Sequence, residues 1–283
     1  IRSKTFASDR KNFIKKIMHY CTFMVSAIIN YKKIGKHDLI IVSSPPLFTG
    51  AVGLFLKKIY GVEFWLDIRD LWPDSVFELG QIKKGFLFKM GKSLEKNIYD
   101  SAKGFIFPVP GFRSYLNNFS QKNSNKPMFE LMNGVSHDFV QIHRSLASSD
   151  MKKFTVLYSG NMGLAQDLKT IIEAASILKD YEIYFRFIGE GVCKREVERL
   201  AKPLSEKFSF HKPMKRKKLI KYIKNSSICL VPLKDKNLFK TAIPSKMFEY
   251  MACAKPIIVG VRGEAKKIVR ESQSGTSIKP EDP

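Results

Sequence analysis

Four segments combine residue types that chemistry at a phosphate or a sugar needs. Asp67–Ser75 (DIRDLWPDS) gathers three acids, an arginine and a rigid Trp-Pro in nine positions. Arg69 in such a segment can stabilise charge developing on a phosphate leaving group, and Asp70 can hold a hydroxyl or orient the arginine. The alternative is a salt-bridged turn with Trp72 plugged into the core. Gly160-Asn161-Met162-Gly163, followed by Gln166, places two glycines where backbone amides can approach a phosphate. An ordinary tight turn would look the same. Gly189-Glu190-Gly191 can lie against a base or ribose, or be a plain connection. Pro244–Ala252 (PSKMFEYMA) has proline at a helix start, with Ser245 and Lys246 in the first turn. Amides, a hydroxyl and an ammonium converging there make an anion-binding end. Glu249, one turn further on, can accept both hydroxyls of a ribose, as acids do in other nucleotide sites. The bland reading is a capped helix with an exposed glutamate.

These segments must be held by strands, because ligands of open α/β sheets bind beyond the strands' carboxyl ends. Apolar, β-branched or aromatic runs occur at Asp38–Ser44, Val62–Asp67, Phe105–Val109 and Met128–Met132 in the first half. In the second half they occur at Phe154–Ser159, Glu182–Ile188, Lys207–His211, Ile228–Leu233 and Pro256–Val261. Helical patterns such as Phe86–Ser101, Gln166–Lys179, Gly191–Ala201, Lys215–Asn225, Ser245–Ala252 and Gly263–Glu271 alternate with them. Strands that read as continuous apolar runs are buried on both faces, so two such series predict two doubly wound parallel sheets. The polar stretch Ser136–Lys153 is the expected junction, giving domains over 1–140 and 150–283. No repeat of fixed period is visible. A charged stretch and an apolar helix stand where a first strand and Gly-rich turn are expected, and the sequence stops where another helix should follow; truncation at both ends is the expectation.

The 283 residues suit two domains, and 44% hydrophobic with 27% charged residues is a globular composition. Lys and Arg outnumber Asp and Glu by 49 to 26, a formal charge of +23, which implies an anionic partner: nucleic acid, lipid headgroups or a phosphorylated small molecule. Cys21, Cys193, Cys229 and Cys253 form no C-x-x-C pair, as in a reduced, intracellular protein. His137 and His143 are spaced off a common helix face, so no metal site is expected. Ile17–Ile29 is shorter than the ~20 residues of a spanning helix. The apolar helix Asn12–Ile34, with Lys11, Lys15 and Lys16 at one end and Lys32 and Lys33 at the other, either lies in a membrane interface or is a buried crossover. Its apolar middle favours the second.

Taken in order, SSPP (Ser43–Pro46), DIRDLWPDS, LEKNIYDSA (Leu94–Ala102), PGFRSYL (Pro110–Leu116), NGV (Asn133–Val135), LYSGNMGLAQDL (Leu157–Leu168), FIGEG (Phe187–Gly191), VPL (Val231–Leu233), PSKMFEYMA, KPIIV (Lys255–Val259) and GEA (Gly263–Ala265) resemble the retaining glycosyltransferases of family 4, in their bacterial capsule and O-antigen branch. The resemblance implies a GT-B fold, two Rossmann-like halves facing a cleft. It implies a nucleotide-diphosphate-sugar donor on the second domain, no metal or other cofactor, and retention of configuration, with the donor phosphate helping to take the acceptor proton. It also implies a polyprenyl-diphosphate-linked saccharide acceptor at the inner face of the plasma membrane. Such a cytoplasmic, peripheral protein would account for the charge through an anionic membrane surface and not through nucleic acid. A UDP donor carrying an N-acetylated amino sugar is the specific expectation. Arg69 and Asp70 would face acceptor and diphosphate. Gly160, Asn161, Gly163, Gln166, Gly189, Ser245, Lys246 and Glu249 would hold the donor. The sequence departs from the family where Arg69-Asp70 replace His-Asp and where Asn161 and Gln166 replace an arginine and a lysine. Thr241 stands at the first of two glutamates of which Glu249 is the second. Lys246 is the candidate substitute cation. A sugar-nucleotide 2-epimerase on the same architecture, or a non-catalytic membrane- or nucleic-acid-binding module, are the rival readings.

Overall fold

The computed structural model describes residues 5–6, 13–145 and 153–283. Lys11, Asn12 and the Leu146–Lys152 part of the expected junction lie outside them, as does the side chain of His143. Among the described residues, strands β1 (Ile40–Ser44), β2 (Phe64–Ile68), β3 (Gly104–Phe107) and β4 (Met128–Glu130) form one sheet in the order β1-β2-β3-β4. Strands β5 (Phe154–Ser159), β6 (Ile183–Ile188), β7 (Phe208–His211), β8 (Ile228–Pro232), β9 (Ile257–Gly260) and β10 (Gly275–Ser277) form a second, in the order β10-β9-β8-β5-β6-β7. Every pairing in both sheets is parallel. The fold is α/β with two parallel sheets, as the alternation of apolar runs and helical patterns implies. Numbered from β5, the second sheet has the 3-2-1-4-5-6 order of doubly wound nucleotide-binding folds, with its reversal between β5 and β8.

The central strands form where the sequence is continuously apolar because both of their faces are covered, while the edge strands β1 and β4 leave Ile41 and Phe129 exposed. Leu66 and Ile68 of β2, and Leu157 and Tyr158 of β5, are fully buried. On one face of the second sheet, helices Leu168–Ile177 and Lys194–Ala201 pack a core around Tyr158, Leu168 and Phe187. On the other, helices Arg216–Lys224, Ser245–Ala252 and Glu264–Glu271 pack around Leu157, Met247, Tyr250 and Val259. β10 was not expected, since Gly-Thr-Ser has no apolar run; its pairing with β9 is fixed by the tertiary fold.

Two compact units meet between Met132 and Asn133, ahead of the expected junction. The reason is the short helix His137–Ser145, whose Phe139 is buried in the second unit's core. Arg216 fastens the same segment by donating to Ser136 (3.1 Å) and Asp138 (3.0 Å).

Helix Phe13–Ile29 is not the buried crossover that its apolar middle favours. It packs against helix Leu47–Tyr60 through Met24, Ala27 and Ile28, while Ile14, Met18, Val25 and Ile29 remain exposed. No described helix is long and apolar enough to cross a membrane.

Candidate functional site

The second sheet brings most of the expected donor-site residues to one place, the carboxyl end of β5 at the strand-order reversal. Gly160 follows β5 directly, at a φ of 131°. Helix Ser245–Ala252 is tied to the same strand end by Tyr250, fully buried, whose hydroxyl accepts from the Ser159 amide at 2.9 Å and lies 3.0 Å from its Oγ. Lys246 and Glu249, one turn and one residue before Tyr250, are thereby presented beside Gly160. A Cβ on Gly160 would stand 2.9 Å from the Lys246 Nζ, which itself lies 4.0 Å from the centre of the Tyr158 ring.

The electrostatics of this corner suit an anion. The helix begins after Pro244 with no side-chain cap; the Met247 amide donates to the Pro244 oxygen at 3.0 Å, and the Ser245 and Lys246 amides have no partner among the described residues. The Lys246 ammonium makes no hydrogen bond or ion pair among the described residues. Burial pulls its pKa down to about 7, and the nearby Glu249 only partly offsets this. The Glu249 carboxyl is half-buried and likewise makes no hydrogen bond among the described residues; burial raises its pKa, with Arg216 and Lys246 pulling it back. A cation without a counter-ion and an acceptor without a donor, one helical turn apart, await an anionic, hydroxyl-bearing ligand.

The glycine loops behave less uniformly than the sequence implies. The amide of Gly163 is already engaged, donating to the Gln166 Oε1 at 3.0 Å. Gln166 therefore works as an internal cap, and neither group points to a phosphate. The Asn161 amide has no partner among the described residues, whereas its carbonyl accepts from the Tyr158 hydroxyl. Gly189 and Gly191 are glycines for packing: a Cβ on Gly189 would come within 1.9 Å of the Gly160 oxygen, and one on Gly191 within 2.2 Å of the Met162 oxygen. The two loops are laced by the Gly160 amide donating to Ile188 (2.9 Å) and the Met162 amide to Glu190 (2.8 Å). A separate cavity of about 240 Å³ lies under helix Leu168–Ile177, against Leu230, Ile258 and Ile278. Its lining is apolar and includes none of the anion-binding groups.

In the first unit, Arg69 and Asp70 follow β2 but face different partners. Arg69 Nε donates to the Asp67 Oδ2 at 2.8 Å, and the Ser43 hydroxyl donates to the same oxygen at 2.8 Å. Asp70 accepts from the Ser75 hydroxyl at 2.9 Å; burial raises its pKa against the pull of that hydrogen bond. The turn thus has the salt-bridged character of the alternative reading, and Trp72 is buried in it.

Sequence reasoning assigned no role to the network that carries this turn. Asp74 accepts from Lys92 (3.0 Å) and from the Tyr115 hydroxyl (2.6 Å), which also lies 3.0 Å from the Glu95 Oε1. Glu95 is fully buried, and burial pushes its pKa up to about 7 against the pull of Lys92 and Tyr115. The Tyr115 hydroxyl is thus the donor that the two carboxyls share, and the Lys92 ammonium, 2.5 Å from the Glu95 Oε2 and 3.0 Å from the Asp74 Oδ2, is the cation between them. The residues sat in the LEKNIYDSA and PGFRSYL motifs, yet only the fold joins them. The folded pKa of Glu95 lies above its ordinary 4.5, so its contribution is full below that value and lost as pH rises to about 7. The loss is on the order of 3 kcal/mol. Glu95→Gln keeps an acceptor for Tyr115 and removes the titration. In urea titrations followed by Trp65 and Trp72, both in the first unit, the variant should lack the decline between pH 5 and 8 that the parent shows; parallel profiles would refute the assignment.

Among the described residues no group of three or more His, Cys, Asp or Glu is arranged to hold a metal ion.

Comparison with known proteins places these observations. Residues 140–283 match the family model described as Glycosyl transferases group 1. The chain is 25% identical over 266 residues, 89% of its length, to the Escherichia coli (strain K12) protein named as colanic acid biosynthesis glycosyl transferase WcaI, covering 64% of that protein. It is 22% identical over 257 residues, 87% of its length, to the Pseudomonas aeruginosa protein named as glycosyltransferase WbjE, covering 63% of it. The chain thus spans less than two thirds of either relative. Its fold resembles sucrose-phosphate synthase from Thermosynechococcus elongatus with a TM-score of 0.75 at 18% identity, over 100% of this chain and 70% of that one. It also resembles Anabaena Alr3699/HepE in complex with UDP-glucose, with a TM-score of 0.65 at 12% identity, over 96% and 71% of the two chains.

Proposed function

This chain belongs to the group 1 glycosyl transferases, and from that premise we propose that it transfers a sugar from a UDP-sugar to a polyprenyl-diphosphate-linked saccharide, with retention of configuration and without a metal ion, in the synthesis of a bacterial surface polysaccharide. An N-acetylated amino sugar is the proposed donor group. The observation that carries the donor half is the uncapped helix start at Ser245 with Lys246 and Glu249 beside Gly160, at the strand-order reversal of the second sheet.

In this reading Glu249 accepts the ribose hydroxyls. The Ser245 hydroxyl and the Ser245, Lys246 and Asn161 amides bind phosphate oxygens, and Lys246 neutralises the diphosphate. The bond between the sugar C1 and the β-phosphate oxygen breaks as the acceptor hydroxyl oxygen bonds to C1 on the same face. The acceptor proton passes to the departing phosphate oxygen, so the products are the glycoside and UDP. Charge grows on the β-phosphate in that step, and a preorganised ammonium and helix amides are the groups that stabilise it. Arg69 and Asp70 are proposed on the acceptor side, Asp70 holding a hydroxyl and Arg69 attracting the acceptor diphosphate. The binding of UDP and UDP-glucose by the similarly folded Anabaena protein supports a UDP donor, and the relative named for colanic acid biosynthesis supports a surface polysaccharide. The protein is proposed to work at the inner face of the plasma membrane, where such an acceptor resides.

The test is UDP release from a panel of UDP-sugars, with and without a polyprenyl diphosphate bearing one N-acetylated sugar, in the presence of a chelator. Release that requires the acceptor, with an α-linked product from an α-linked donor, is the expected result. Epimerised donor in the absence of acceptor would instead assign a 2-epimerase.

A further inference from the structure

The start of helix Phe86–Ser101 is built unlike the rest of the first unit's surface. Phe86, Leu87 and Met90 are 77%, 70% and 54% exposed, three large apolar side chains within the first five residues of the helix. Lys83 and Lys84 precede them, Lys89 and Lys96 follow along the same helix, and all four are exposed. From Lys83 to Lys96 the only acid is Glu95, and it faces inward to Lys92 and Tyr115. The knuckle is firmly based: Phe88 packs on Phe77 with ring centres 5.3 Å apart, Lys84 lies 5.1 Å from the centre of the Phe77 ring, and Gly91 abuts Pro73.

A second exposed apolar group lies on the same unit. On helix Phe13–Ile29 the exposed Ile14, Met18, Val25 and Ile29 recur at intervals of four, seven and four, one stripe along the helix. That helix meets the Trp72–Phe77 segment through Tyr20, whose ring centre is 6.1 Å from that of Trp72. Tyr20 stands on the side of the helix away from the stripe, so it is the knuckle that borders the segment following Arg69 and Asp70, through Phe88 on Phe77 and Gly91 on Pro73.

We infer that the Phe86-Leu87-Met90 knuckle is the element that inserts into an anionic lipid surface, with Lys83, Lys84, Lys89 and Lys96 resting on the headgroups. The pairing of exposed apolar anchors with a collar of lysines and no exposed acid is the complement of an interface that is apolar beneath and negative above. Nucleic acid would leave the three apolar chains in water, and a flat protein partner would need no such excess of one charge. The inference rests on the lipid-linked acceptor of the proposed function: docked here, the chain holds the segment after Arg69 and Asp70 close to the bilayer, because Phe88 and Gly91 of the knuckle's helix pack on Phe77 and Pro73.

The test is flotation of the full chain with vesicles of phosphatidylcholine alone or with about a third phosphatidylglycerol, lipids of either kind being free of saccharide acceptor. Binding should require the anionic lipid and weaken with salt. Phe86→Ser/Leu87→Ser/Met90→Ser should lower partitioning by about a hundredfold, and Lys83→Glu/Lys84→Glu by more than about tenfold, with circular dichroism unchanged because all five side chains are exposed. Phe86→Trp should show emission quenched by brominated lipid. A parent chain that binds anionic vesicles and a triple variant that binds equally well would overturn the knuckle while leaving the membrane-bound acceptor standing. No vesicle binding by the parent, or a dimer that the triple variant abolishes in its place, would assign the knuckle to protein contact and overturn the lipid assignment. Vesicle binding by a chain that binds no UDP would keep this inference and defeat the function instead.

Discussion

Lys246→Met should weaken UDP binding by roughly 10- to 100-fold, the range for losing a charge-assisted hydrogen bond in a partly buried site. The parent ammonium has neither carboxylate nor hydrogen-bond partner among the described residues, and it rests on the Tyr158 ring 4.0 Å from its centre. Burial there holds its pKa at about 7. A diphosphate would raise it, since the charged form gains the interaction. The sign of the pH dependence follows: affinity is full below about 7, the value of the free protein, and falls as pH rises through it towards the higher value of the complex. Between pH 7 and 9, where the nucleotide phosphates are fully ionised, parent affinity should drop by up to about tenfold per unit, and Lys246→Met should be flat. Calorimetry at pH 8 in buffers of different ionisation enthalpy should show uptake of about one proton in the parent and none in the variant. Equal pH profiles for the two proteins would remove Lys246 from the site.

Gly189→Ala should cost more than about 3 kcal/mol and lower the melting temperature of the second unit by roughly 10 °C. The added methyl would sit 1.9 Å from the Gly160 oxygen, a backbone atom that cannot rotate away, at a φ of 153°. Gly160 cannot yield without releasing its amide from Ile188 and moving from the Lys246 amine. Nucleotide affinity should therefore fall along with stability. The tryptophans lie in the first unit, so their fluorescence transition should stay where it is while the calorimetric transition of the second unit shifts. An unshifted calorimetric transition would show that the loops are less closely packed than this geometry requires.

The central strands were legible because both of their faces are covered, which leaves runs such as Val156–Tyr158 and Ile257–Val259 without a polar interruption; the edge strands β1 and β4 leave Ile41 and Phe129 exposed. The helix start that carries Lys246 and Glu249 was legible because a proline followed by Ser and Lys marks a helix N-terminus. What positions them was not. Tyr250 reaches Ser159 across 91 residues of sequence, and nothing local to either residue announces the contact. Gln166 was expected among the residues that hold the donor, at the place where the family has a lysine; that its amide oxygen accepts from the Gly163 amide was not legible. The Asp74-Lys92-Glu95-Tyr115 network joins three segments that only the folded first unit brings together. Helix Phe13–Ile29 was misread for a similar reason: an apolar pattern reports which residues avoid water in some setting, not whether this chain supplies the cover.

The central claim is a nucleotide diphosphate site at the carboxyl end of β5, and calorimetric titration with UDP tests it most directly. The account predicts that the folded chain binds UDP in preference to GDP, binds a short DNA duplex no more tightly than its charge alone requires, and loses about tenfold or more in UDP affinity in Glu249→Ala with its circular dichroism unchanged. A folded chain that ignores UDP, or binds it equally well without Glu249, and that takes up DNA with a steep salt dependence, would contradict it.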